Sequence, residues 1–180
     1  MMRLFRAAAV ILLALAPAAA IPALNVGVAA PDFTATGALA GERFNMNLRE
    51  QLRRGPVVLY FFPRAFTEGC TAEAHAFSVA AIEFRQLGAR VIGLSADDYD
   101  TLRRFSVEEC RNAFPVATAS PATIAAYDVR LRADAPLTNR TSFVIAPNGR
   151  IIYAYSDMDW RNHVTNTLAA VREWRARQSR

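Results

Sequence analysis

The chain has 180 residues, 53% of them hydrophobic, which is enough for one domain with a sizeable core and too few for two comfortable ones. Its formal charge of +5 comes from 21 basic residues against 16 acidic ones, and every basic residue is arginine. The arginines are scattered among acids rather than gathered into a stripe, which argues against a nucleic-acid-binding surface.

Arg3 and Arg6 precede the apolar run 7–16, and Ala18-Ala19-Ala20 supplies the small residues of an A-x-A cleavage site, the pattern of a secretory signal over residues 1–20. Pro17 and Pro22 interrupt the apolar stretch, so cleavage is favoured over an uncleaved anchor. No cysteine follows the run, so a lipoprotein anchor is not indicated. Residues 21–180 then form a single domain that is periplasmic or secreted, without stable membrane attachment.

Downstream, Phe33 to Ala35 and Arg43 to Asn45 read as short strands around a turn at Gly37 to Gly41, and Asn47 to Gln51 as a helical turn. Val57 to Phe62 is an apolar run bounded by Gly55-Pro56 and Pro63, as in a strand buried on both faces. After Gly69, the positions Ala74, Phe77, Ala81 and Phe84 recur at helical spacing until Gly88, which puts Cys70 in the first turn of a helix. Arg90 to Ser95 is a second apolar run that can pair parallel to the first, giving a βαβ unit. Asp97 or Asp98 caps the next helix, whose Leu102, Phe105 and Val107 face inward and whose end carries Cys110. Phe114 to Ala117 reads as a short edge segment. Pro121 opens a helix with Ile124 and Tyr127 on its apolar side, and Asp128 to Asn139 is a polar surface loop. Thr141 to Ala146 and Ile151 to Tyr155 flank the hairpin signal Pro147-Asn-Gly149, and a last helix spans about residues 162–177. The sum is an α/β domain with a mixed sheet covered on both faces.

Cys70 is the chemical centre of this pattern. A sulfur at a helix start faces unpaired backbone N–H groups and the positive end of the helix dipole, which favour the reactive thiolate. Thr67, three residues earlier, can set its hydroxyl beside the sulfur, and Pro63 stiffens the loop. The stretch Pro63-Arg-Ala-Phe-Thr67-Glu-Gly-Cys70 resembles the P-x-x-x-T-x-x-C signature of the peroxiredoxins, the thiol peroxidases. The preceding strand and the Cys70-Thr71-x-Glu73 pattern are most similar to the bacterioferritin comigratory protein, or Q, branch. Val26 to Phe33 resembles that family's opening G-x-x-A-P-x-F, and the resemblance extends to about Trp174.

The resemblance implies a thioredoxin-like fold and a thiol-dependent peroxidase that reduces hydrogen peroxide or organic hydroperoxides through a sulfenic acid on Cys70. It implies that Thr67 and Arg140 orient peroxide, Arg140 opening the pattern Arg140-Thr-Ser-Phe-Val-Ile145. It further implies that Pro63 shields the sulfur, that Glu73 orients Arg140 or the loop, and that a thioredoxin-like thiol donor restores a monomer or weak dimer. No metal or organic cofactor is called for. Cys110 is the resemblance's candidate resolving cysteine; an inert buried thiol is its other reading. Two positions depart from the family pattern. Glu68 stands where a proline is frequent and adds a negative charge near the sulfur unless it points outward. His75 stands where many Q-branch members carry a resolving cysteine, and reads as a helix-surface residue.

Three rivals compete with the peroxidase. A thiol-disulfide oxidoreductase of the same fold uses C-x-x-C, but position 73 is glutamate, and Arg140 stands where a cis-proline is usual. A copper-binding module would draw on Cys70, Cys110, His75 or His163 as soft ligands but lacks the C-x-x-x-C spacing. A non-catalytic redox sensor would consume peroxide slowly and without turnover.

Overall fold

The computed structural model describes residues 24–179. The expected secretory signal falls on residues 1–20, outside the described residues. In chain order the elements are β1 (Thr34–Leu39), β2 (Glu42–Asn47), α1 (Leu48–Leu52), β3 (Val57–Phe61), α2 (Glu68–Gln86), β4 (Arg90–Ser95), α3 (Tyr99–Glu108), β5 (Val116–Thr118), α4 (Pro121–Ala126), β6 (Thr141–Ile145), β7 (Ile151–Ser156) and α5 (Arg161–Gln178). The strands form one sheet in the order β2-β1-β5-β4-β3-β6-β7. Pairing is parallel for β3 with β4 and for β4 with β5, and antiparallel elsewhere, so the sheet is mixed as expected.

Every residue of β3 is buried, which is why its sequence shows an unbroken apolar run rather than alternation. The pleat nonetheless divides it. Val58, Tyr60 and Phe62 join the core under α2, α3 and α5, with Phe77, Phe84, Phe105, Val164 and Leu168. Val57, Leu59 and Phe61 face the opposite core with Leu48, Leu52, Ile124 and Tyr127 under α1 and α4. Tyr60 stacks on Phe77 with ring centroids 4.4 Å apart, and this pair pins the middle of α2 to the sheet. Fully burying a side chain such as Phe77 contributes about 1.5–3 kcal/mol, and truncating it to alanine costs about 3–5 kcal/mol.

Three local expectations are corrected. The first hairpin turns at Ala40 and Gly41, both at positive φ, and not over Gly37 to Gly41. Gly37 lies inside β1 because β1 also pairs with β5, so close that a Cβ there would lie 2.0 Å from the Val116 carbonyl oxygen. For the same reason β5 is an interior strand, between β1 and β4, and not an edge segment. In α3, Leu102 and Phe105 face inward as expected, but Val107 is exposed and Ser106 is buried in its place. Ser106 Oγ satisfies the turn by accepting from Gly41 N at 3.0 Å. Asp98 caps α3, accepting from Thr101 N at 2.8 Å, which leaves Asp97 free for another task.

Candidate active site

The loop between β3 and α2 is tied down on three sides. Phe62 N donates to Leu94 O at 3.0 Å, Thr138 Oγ1 donates to Phe62 O at 2.6 Å, and Ala65 N donates to Asp97 Oδ2 at 2.7 Å. Asp97 is itself held by Ser95 Oγ at 2.5 Å, so the end of β4 fixes the approach to α2. Phe66 adopts φ +62, a costly conformation for a bulky residue. Its ring sits edge-on to Phe105 at 5.2 Å and beneath the Arg104 guanidinium, contacts that hold it there. A loop fixed in this way delivers Cys70 as the third residue of α2, in its first turn, with 2% of its surface exposed.

Arg140, in the segment just before β6, reaches the same point from the neighbouring strand and is 4% exposed. Each part of its fork has a different partner. Nη2 donates to Cys70 Sγ at 3.4 Å, Nη1 pairs with Glu73 Oε2, and Nε donates to the Met158 carbonyl at 3.1 Å. Arg140 is thus brought to the sulfur, and Glu73, one turn along α2 and fully buried, orients it. Burial pushes the Glu73 carboxyl up to about 8, against the downward pull of Arg140. Burial alone would lower the Arg140 guanidinium, but Glu73 and Cys70 together hold it above its ordinary value.

Thr67 and Pro63 flank the sulfur in sequence, yet their geometry differs from a simple ring around it. Thr67 is exposed, and its hydroxyl donates to Arg64 O at 3.0 Å. Its carbonyl accepts from Thr71 N at 2.9 Å and closes the first helical turn. Pro63 is half-buried beside this loop. Glu68 is solvent-exposed, the outward placement that keeps its charge away from the buried sulfur.

Four residues of this neighbourhood escaped the motif. His163 on α5 is fully buried, with Nδ1 2.8 Å from Ser142 Oγ and Nε2 2.9 Å from Asp157 O, and burial lowers it to about 4. Trp160 closes the other side: a Cβ on Gly69 would lie 3.3 Å from Arg140 Nη2 and 3.7 Å from Trp160 Cδ1. Tyr60 completes the floor, its hydroxyl fully buried without a partner and its phenol kept protonated by burial and by the nearby charges of Cys110, Glu73 and Cys70. The signals available were a histidine on the apolar face of α5 and a serine inside Arg140-Thr-Ser142; neither is specific alone.

Cys110 lies just past the end of α3, completely buried and free, as is Cys70. Burial, with the Glu109 charge, raises its thiol well above the ordinary value. Its backbone is engaged at both ends, donating to Phe105 O at 3.0 Å and accepting from Ala113 N at 2.9 Å. His75 Nε2 sits 2.7 Å from Glu109 Oε2, so the half-exposed helix-surface residue links α2 to the end of α3. The histidines and cysteines considered for copper do not converge: His163 has both ring nitrogens engaged, His75 pairs with Glu109, and among the described residues no group of three or more metal-ligating side chains forms. No cis peptide occurs among the described residues, and position 73 is a buried glutamate, so the features of a C-x-x-C oxidoreductase are missing.

Fold and site together define a thiol-dependent peroxidase of the thioredoxin-like fold. Comparison with known proteins agrees. Residues 26–154 match the AhpC/TSA family, and the chain belongs to it. Peroxiredoxin Bcp of Xanthomonas campestris is 30% identical over 122 residues, which cover 64% of this chain and 76% of that protein. A solved structure of the Xanthomonas campestris bacterioferritin comigratory protein, described in terms of alkyl peroxide reduction, superposes with a TM-score of 0.67 at 27% identity, covering 78% of this chain and 91% of that one. The crystal structure of peroxidoxin BcpB from Mycobacterium tuberculosis gives a TM-score of 0.74 at 30% identity, covering 82% of this chain and 96% of the other. A chloroplastic 2-cysteine peroxiredoxin of Chattonella marina is 42% identical over 74 residues, which span 41% of this chain and only 38% of that protein.

Proposed function

We propose that this chain is an exported peroxidase of the bacterioferritin comigratory protein type, reducing hydrogen peroxide and alkyl hydroperoxides at the expense of a thioredoxin-like thiol. The observation that carries the reading is the contact between Arg140 and Cys70 in the first turn of α2. The Cys70 thiolate attacks the hydroxyl oxygen of the peroxide, an S–O bond forms, and the O–O electron pair departs with the alkoxide. Arg140, a fixed charge with several donors in one plane, steadies the thiolate beforehand and the growing negative charge afterwards. In this reading the peroxide oxygens reach the sulfur and Arg140 from the side of the loop that carries half-buried Pro63 and exposed Thr67, just before Cys70.

The sulfenic acid on Cys70 then condenses with a thiol from outside. Burial and the raised Cys110 thiol favour this over attack by Cys110, which becomes a partner only if the end of α3 unwinds. Export is supported by the Arg3/Arg6-flanked apolar run and its Ala18-Ala19-Ala20 site; N-terminal sequencing of periplasmic protein is expected to begin at Ile21, and a full-length membrane-bound form would contradict it. For activity, the purified chain with a thioredoxin-type donor should consume hydrogen peroxide and an alkyl hydroperoxide catalytically. Cys70→Ser should reduce that rate to background while leaving the fold intact, and turnover near that of the wild type in this variant would refute the assignment.

A further inference from the structure

Glu73 is fully buried, yet only one of its carboxylate oxygens receives a hydrogen bond. Oε2 accepts from Arg140, while Oε1 has no partner among the described residues and lies 3.9 Å from His163 Nδ1. The hydrogen positions on that imidazole follow from its surroundings. Nε2 is 2.9 Å from the Asp157 carbonyl oxygen, which only accepts, so Nε2 bears the hydrogen. Nδ1 is then a bare lone pair that accepts from Ser142 Oγ at 2.8 Å. Two acceptors therefore face each other in the buried interior, an arrangement that an ionised Glu73 makes costly and a protonated Glu73 relieves.

Arg140 offers one positive charge to two acidic groups, Glu73 through Nη1 and Cys70 through Nη2 at 3.4 Å. With both acids ionised the buried cluster would carry an unbalanced negative charge. We propose that Cys70 and Glu73 share one proton across Arg140, so that Glu73 is a carboxylic acid whenever Cys70 is a thiolate and a carboxylate whenever Cys70 is uncharged. Burial pushing Glu73 up to about 8 beside a guanidinium is in keeping with such a coupled pair. The groups facing the cluster from other elements do not neutralise a second anion. Tyr60 from β3 stays a phenol, His163 from α5 stays neutral, and Asp157 and Asp159 in the β7–α5 loop are acids. Among the described residues, Arg140 is the one cation acting on Glu73.

This inference rests on the peroxidase reading and adds the fate of its proton. When the thiolate takes the hydroxyl oxygen, Cys70 becomes an uncharged sulfenic acid and the alkoxide takes up one proton. Glu73, now without a competitor for Arg140, releases one. Arg140 keeps its own hydrogens, and the cluster holds the same net charge before and after the step. Glu73 is thus a positioning residue that keeps the charge balance of Cys70.

Infrared spectroscopy of the reduced full chain at neutral pH reads this proton directly. The carbonyl stretch of a buried carboxylic acid should be present in the wild type and absent in both Glu73→Gln and Cys70→Ser, since without a thiolate Glu73 keeps Arg140 as a carboxylate. A band that persists in Cys70→Ser overturns the proposal, as does its absence from reduced wild type whose Cys70 alkylates as a thiolate. In a second measurement, the pH of half-maximal Cys70 alkylation should stay within about half a unit of the wild type in Glu73→Gln, because the thiolate forms beside an uncharged side chain in both. A Glu73 that stays ionised beside the thiolate would give a fall, and one that merely orients Arg140 a rise; either overturns the proposal. Neither measurement needs turnover: a chain that consumes no peroxide but loses its band in Cys70→Ser would refute the peroxidase and uphold the shared proton.

Discussion

Arg140 shows how much chemistry one side chain can concentrate when its partners are fixed. Its three donor groups are spent on a backbone carbonyl, a carboxylate and the sulfur, so the guanidinium plane has little freedom to turn away. Arg140→Ala is expected to slow peroxide attack by about 10²–10³-fold, the scale of losing a preorganised donor at a developing charge. The same change leaves Glu73 buried without its cation, a loss of about 3–5 kcal/mol unless Glu73 takes up a proton. Arg140→Lys keeps the charge but not the fork and should recover stability more than rate, as stopped-flow oxidation alongside urea unfolding will show. Equal loss in both variants would mean that geometry matters no more than charge. At this scale Cys70, Arg140 and Glu73 were legible because their signals are local: a full motif before a helix, and an arginine opening an apolar strand. His163, Ser142, Tyr60 and Trp160 were not, because each joins the site by a tertiary contact that no spacing encodes.

Among the elements, α5 is the one whose attachment carries a pH signature. It packs on α2 and the β6–β7 hairpin through Val164, Leu168 and Val171, and its one buried ring, His163, bonds to β6 and to the loop after β7. The unfolded chain protonates this histidine near pH 6.5, while the folded chain refuses the proton until about pH 4. Stability from His163 is therefore present above about pH 6.5 and is lost as pH falls through that window, by up to about 3 kcal/mol. Glu73 acts in the opposite sense, because the unfolded chain ionises it near pH 4.5 and the folded one only near 8. Comparing His163→Phe with the wild type isolates the first effect. Their stability difference in urea unfolding should shrink from pH 7 to pH 4, and a difference independent of pH would contradict the buried neutral imidazole. The elements themselves were mostly legible, since β3, α2, the β6–β7 hairpin and α5 follow from apolar period and turn residues. What failed were statements about neighbours: β5 became an interior strand and Gly37 a close-packed strand residue because β1 returns across the chain to cover β5.

For the molecule as a whole, the sheet order places β3 between β4 and β6, so its carboxyl end opens onto both α2 and the segment bearing Arg140. That adjacency brings together a cysteine and an arginine 70 positions apart. The rest of the molecule keeps Cys110 apart as a buried thiol behind the end of α3, braced by the His75–Glu109 contact. The central claim is that Cys70 alone meets the peroxide. Peptide mass mapping after one equivalent of hydrogen peroxide, with a sulfenic-acid trap and an alkylating agent present, tests it most directly. The account predicts the trapped oxygen on the Cys70 peptide, with Cys110 still alkylatable once the chain is unfolded. An unmodified Cys70 in a sample whose peroxide has been consumed, or first oxidation at Cys110, would contradict it.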